Sequence, residues 1–178
     1  MRVYVPATLG MLQQLVADRS IKAVNGTAFA VTPALRESYA QGDDDELAEV
    51  ALREAALASV RLLAGAADGA GPDVAGQAAP GTALPPRRAV LEVEVDDATP
   101  RPDLDDAVVR LSGPVAIDDV VAAYGDNQAA ETAVRAAIDA VDAADLGDED
   151  AELTVGDAQD HDLAWYAAQE LPFLLELL

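Results

Sequence analysis

The chain has 178 residues, 33 Asp and Glu against 11 Lys and Arg, a formal net charge of −22 and no cysteine. Without cysteine there is no disulfide, thiolate zinc site, iron–sulfur cluster or cysteine nucleophile. A surface this negative repels phosphate backbones and anionic lipids, so direct nucleic-acid binding is not expected.

The charge is uneven: residues 1–86 hold 10 acids and 6 bases, residues 87–178 hold 23 acids and 5 bases. The composition, with 51% hydrophobic residues, is that of a folded chain rather than a disordered one. No apolar run approaches a membrane span, and the N-terminus lacks the pattern of a signal peptide; a cytoplasmic protein is expected, with no membrane partner.

In chain order, Val3-Tyr4-Val5 reads as a short strand closed by Pro6, and Thr8 precedes a helix whose Leu9, Leu12, Leu15 and Val16 share one face. Asn25-Gly26 marks a turn and Ala28 to Val31 a second strand. Thr32-Pro33 has the cap and first-turn pairing that opens a helix to Gln41. Asp43-Asp44-Asp45 starts a longer helix from about Glu46 to Leu63, alanine-rich and apolar over a wide arc. Residues 64–86 contain 17 Ala, Gly or Pro in 23 positions and read as a flexible insertion.

Beyond it, Ala89 to Val95 alternates with the period of a strand buried on one face. Asp96 to Asp106 reads as an acidic loop, Ala107 to Ser112 and Val120 to Tyr124 as strands, and Asp126 as the cap of a helix reaching Ala144. Asp145 to Asp162 reads mostly as loop, Leu163 to Ala167 as a strand, and Pro172 as the opening of a short helix. The expected architecture is α/β, with α+β as the alternative. It is a single domain over 1–178 with one mixed sheet of about five to six strands, helices packed on it, and the order βαβαα-linker-βββαβα.

The familiar catalytic patterns are missing. The only lysine, Lys22, has no glycine-rich run before it, which excludes a Walker A loop. The glycines at 65, 69, 71 and 76 follow a helix instead of opening one, unlike a dinucleotide fingerprint. The single histidine, His161, lies between Asp160 and Asp162, but no Gly-x-Ser-x-Gly elbow surrounds Ser38, Ser112 or any other serine. Metal binding would have to use oxygen ligands, and the acidic runs at 43–45, 103–106 and 148–150 lack the EF-hand pattern; no metal and no cofactor is expected.

What remains is positional. Ligand crevices of α/β proteins form outside the carboxyl ends of parallel strands. If the strands here run parallel, Thr8, Thr32, Arg36, Tyr39, Gln169 and Glu170 form a polar rim with one cation. The bland reading makes the threonines caps, pairs Arg36 with a nearby acid and leaves Gln169 and Glu170 to begin a helix. The C-terminal run Leu171-Pro172-Phe173-Leu174-Leu175-Glu176-Leu177-Leu178 is more apolar than a surface tail, so it packs into its own core or completes an interface.

The segments RVYVPATL, AVTPALRESYAQGDDDELAEVALREAALASVRLL and WYAAQELPFLLEL resemble a family of small uncharacterised actinobacterial proteins. The resemblance implies a bacterial cytoplasmic protein and carries no activity or site residue. The expected function is that of an acidic, non-catalytic protein that binds a protein partner or forms a homo-oligomer through its apolar C-terminus or alanine-rich helix. In a sharper version the acidic half is a decoy for nucleic acid on a basic partner. The alternative is a small-molecule sensor or enzyme using the strand-end rim, with Arg36 binding an anion and Glu170 as acid or base.

Overall fold

A computed structural model describes residues 1–39, 41–67 and 84–176. The elements are β1 (Arg2–Ala7), α1 (Leu9–Asp18), β2 (Ser20–Ile21), β3 (Thr27–Phe29), α2 (Pro33–Ser38), α3 (Asp44–Ala67), β4 (Ala89–Glu94), β5 (Ala98–Pro100) and β6 (Val108–Leu111). There follow β7 (Val115–Ala116), β8 (Val120–Gly125), α4 (Glu131–Asp145), α5 (Glu149–Gln159), β9 (Ala164–Ala167) and α6 (Leu171–Glu176).

Seven strands form the main sheet in the order β5-β6-β3-β1-β4-β8-β9, and β2 pairs with β7 in a small second one. The protein is α/β as expected, with more strands than the sequence suggested and with every pairing antiparallel. The strand period of two divides the sheet residues between two cores. On one face Val3, Val5, Leu91 and Val93 pack with Leu12 and Leu15 of α1 and Leu171 and Leu174 of α6. On the other, Tyr4, Phe29 and Val90 pack with Leu35 of α2 and Leu47, Ala51 and Ala55 of α3. The alanines of α3 bring its backbone close to the sheet, and its C-terminal half turns Val60 toward Val134 and Val141 of α4 and Val155 of α5.

Several local expectations change. Pro6 does not end β1, which continues to Ala7 with Pro6 opposite Val90 of β4; on the other side, β1 pairs with β3 only at Tyr4↔Phe29, which spares the sheet a ladder donor that proline lacks. The helix α3 runs on to Ala67, so the insertion does not begin at residue 64. Of the proposed insertion, 64–67 is helical, 84–86 has no regular secondary structure, and 68–83 lies outside the described residues. The acidic segment 96–106 contains β5, paired with β6. The segment 145–162 is mainly α5, whose Asp148 side chain accepts from the Ala151 N–H at 2.9 Å and whose first turn carries Glu149, Asp150 and Glu152, favourable at a helix start.

Candidate functional site

The six residues of the expected rim do not meet. Thr8 caps α1 and accepts from the Met11 N–H. Thr32 caps α2, accepting from the Leu35 N–H and donating to the Asp106 carbonyl. Arg36 is exposed and paired with Asp44, and Tyr39 ends α2 exposed. Gln169 and Glu170 lie exposed in a short 3-10 turn before α6. Because β1 and β3 are antiparallel, Thr8 and Thr32 leave opposite ends of the sheet. Glu170 follows β9, at the sheet edge beyond β4 and β8, whereas Arg36 is on α2 against the β3 side. Parallel strands were the condition for convergence, and antiparallel pairing removes it.

Two buried polar groups were not legible in the sequence. Arg88, 1% exposed, stands just before β4. Its Nε donates to Asp126 Oδ2 at 2.9 Å and its Nη2 to Asp126 Oδ1 at 2.8 Å, a two-pronged contact. Its remaining reach goes to Gln159 Oε1 at 2.9 Å and the His161 carbonyl at 2.7 Å, while Asp126 Oδ2 also accepts the Arg88 backbone N–H at 2.8 Å. Beside it Ser59 of α3 donates to the Ala7 carbonyl at 2.7 Å and accepts from the Ala89 N–H at 3.0 Å. These groups satisfy one another, and the arrangement holds β1, α3, β4, β8 and α5 together at one end of the sheet.

The second group is on the α3 face. Tyr4 donates from its hydroxyl to Glu92 Oε1 at 3.2 Å, Arg2 Nη1 lies 3.8 Å from the same oxygen, and the Tyr4 and Tyr124 rings are 6.4 Å apart. Burial, then the neighbouring Glu92 carboxylate, pushes the Tyr4 phenol well above its ordinary value of 10.0; Tyr124 is raised by the same two causes. Tyr4 is therefore a fixed hydrogen-bond donor, poorly suited to proton transfer near neutral pH. Among the described residues no three His, Asp or Glu side chains come together to hold a metal ion.

One feature without an internal explanation is the β9 edge. Its sequence Ala-Trp-Tyr-Ala contains neither charge nor proline. The opposite edge, β5, is blunted by Pro100 within it, by Pro102 just after it and by the Arg101–Asp103 ion pair. Trp165, opposite Tyr124, is 57% exposed, and Phe173 of α6 is 67% exposed. Tyr166, opposite Ala123, points to the other face, where with Glu170, Phe173 and Leu174 it lines a shallow open hollow. The C-terminal run thus divides its residues: Leu171 and Leu174 are buried in the core and Phe173 is presented outward; Leu177 and Leu178 lie outside the described residues.

Comparison with protein families matches residues 1–175 to one of them. The chain belongs to DUF6912, a family of unknown function. The match takes in the segments that carried the resemblance, except for the last two residues of the third. Neither curated proteins nor solved structures gave a match. Membership in DUF6912 brings no activity with it, so the chemistry of the exposed surface carries the functional argument. Among the described residues no helix is long and apolar enough to cross a membrane.

Proposed function

We propose that this member of DUF6912 is a cytoplasmic, non-catalytic protein that docks a partner protein on the edge formed by β9 and α6. The observation that carries the reading is the pair of outward aromatic side chains, Trp165 and Phe173, on the two sides of an unblunted edge strand. Interfaces are enriched in such residues because a rigid aromatic ring buries much apolar surface at small entropic cost. The polar groups that could have suggested catalysis are consumed internally: Arg88 and Asp126 in a mutual fork, Tyr4 as a donor to Glu92. The acidity, −22 overall, favours protein partners over nucleic acid or anionic lipid.

Immobilised wild-type protein and the double variant Trp165→Ala/Phe173→Ala, exposed to an extract of the host, test the proposal. The wild type is expected to retain a defined partner at fixed stoichiometry and the folded variant to lose at least ten times in affinity, since a central aromatic anchor contributes about 2 kcal/mol or more. Equal retention by both proteins would overturn it.

A further inference from the structure

We infer that the partner presents an extended, basic-flanked segment that adds to the main sheet as a strand beside β9, an inference that rests on the docking edge proposed above and names what it takes. Side chains on a strand alternate between faces, and β9 offers apolar contact on both: Trp165 with Tyr124 on the α3 face, Tyr166 with the hollow beside Phe173 on the α6 face. A strand laid along β9 gains main-chain hydrogen bonds from the open edge and sets successive side chains alternately against these two surfaces. This is the recognition mode in which backbone pairing supplies affinity and alternate side chains supply selectivity.

Charge selects the occupant. Asp160 and Asp162 stand before β9 and Glu170 after it, all exposed. From Ala136 to the C-terminus the sequence has 12 acids and no Lys or Arg. Among the described residues, none of Asp160, Asp162, Glu170 and Glu176 forms an ion pair, while seven of the ten arginines do. An incoming strand with Lys or Arg on both sides of a short β-prone centre meets this unneutralised frame favourably. A second copy does the opposite: antiparallel β9–β9 pairing would set the flanking acids of each copy against those of the other, between two molecules of charge −22.

The test uses the full chain and capped peptides of sequence Lys-Lys-Val-Thr-Val-Thr-Lys-Lys. Two controls accompany them: one with Glu in place of each Lys, one with Pro in place of each Thr, which keeps the charge and removes the strand. Amide hydrogen exchange at 164–167 and Trp165 fluorescence are followed with increasing peptide. The inference predicts saturable slowing of exchange in β9 with the Lys/Thr peptide, weakening as salt rises, at least tenfold weaker binding of both controls, and loss of binding in the Tyr166→Pro variant. Retained α1 and β4 protection shows that this variant is folded; if it is not, Trp165→Glu serves instead, with the same expected loss. Equal binding of the Pro control would reduce the effect to general electrostatics and overturn strand addition. Equal binding of the Glu control would overturn the charge selection, and no slowing with any peptide would overturn the whole inference. A concentration-dependent dimer of the chain alone, abolished by Tyr166→Pro, would assign the edge to a second copy. Apart from the dimer, which would put a second copy where the partner is proposed to dock, none of these outcomes touches partner retention through Trp165 and Phe173, whose failure is read separately by the extract experiment.

Discussion

Tyr4 is a case where one side chain serves two purposes. Its ring fills the core between β1 and α3, and its hydroxyl satisfies an oxygen of Glu92, a carboxylate only 8% exposed on a central strand. Leaving that oxygen without its donor costs about 1–3 kcal/mol, so Tyr4→Phe is expected to lower unfolding free energy by that amount at neutral pH. The pH dependence follows from the direction of the shift. The folded phenol binds its proton more tightly than the unfolded one, whose ordinary value is 10.0, so its contribution is fully present below that pH. It is lost as pH rises from there through the raised folded value, because the unfolded chain ionises first. Denaturant unfolding between neutral pH and pH above 10 should show a steeper alkaline loss in the wild type than in Tyr4→Phe; Tyr124, raised in the same direction, leaves a residual slope in the variant. Identical slopes would contradict the assignment.

At the scale of elements, Arg88 and Asp126 decide how β4, β8 and the end of α5 meet. The pair is 2% and 0% exposed at the side chains, so neither charge has water to fall back on. Removing one partner of such a buried pair typically costs about 3–5 kcal/mol because the other is stranded, and Arg88→Ala is expected to lose that much in urea unfolding. Replacing both, Arg88→Met with Asp126→Asn, keeps an acceptor for the Arg88 backbone N–H and should recover part of the loss; a double variant worse than the sum of its singles would contradict the account.

The same elements show where the sequence was legible. Alternation announced β4, threonine caps announced α1 and α2, and the three aspartates announced α3, because each signal is local. The helix α5 was missed because Glu149, Asp150, Glu152 and Asp157 obscure its few apolar positions, Ala151, Val155 and Ala158, although Asp148 is an ordinary cap. The strand β5 was missed because Pro100 sits in it, which is allowed at an edge. The Arg88–Asp126 fork joins residues 38 apart in sequence, a separation at which no spacing rule operates. The rim residues are scattered for a different reason: Thr8, Thr32, Gln169 and Glu170 follow β1, β3 and β9, and Arg36 and Tyr39 belong to the helix after β3, but the antiparallel direction of the strands, set by long-range pairing, keeps them apart. The exposure of Trp165 was equally hidden, since which strand lies at an edge is a property of the whole sheet.

The whole molecule has two unlike sheet edges and two covered faces. One edge is closed by proline and an ion pair; the other ends in Ala-Trp-Tyr-Ala with aromatic side chains turned outward and with acids around it that form no ion pair among the described residues. Natural proteins usually blunt an edge strand, because its free N–H and C=O groups invite pairing. An unblunted edge framed by repulsive charge is protected against its own copies while staying open to a partner of opposite charge. In the proposed reading stability and docking are kept apart: the buried groups at Arg88 and Tyr4 hold the sheet, and the outward groups at Trp165 and Phe173 are spared from that task. The most direct measurement is hydrogen exchange of the protein alone and in complex with the partner retained from host extract. The account predicts new protection concentrated in 164–167 and the outer side of α6, with the rest of the chain unchanged. Protection confined to the α4–α5 pair or to α2, with β9 exchanging as freely in the complex as alone, would contradict it.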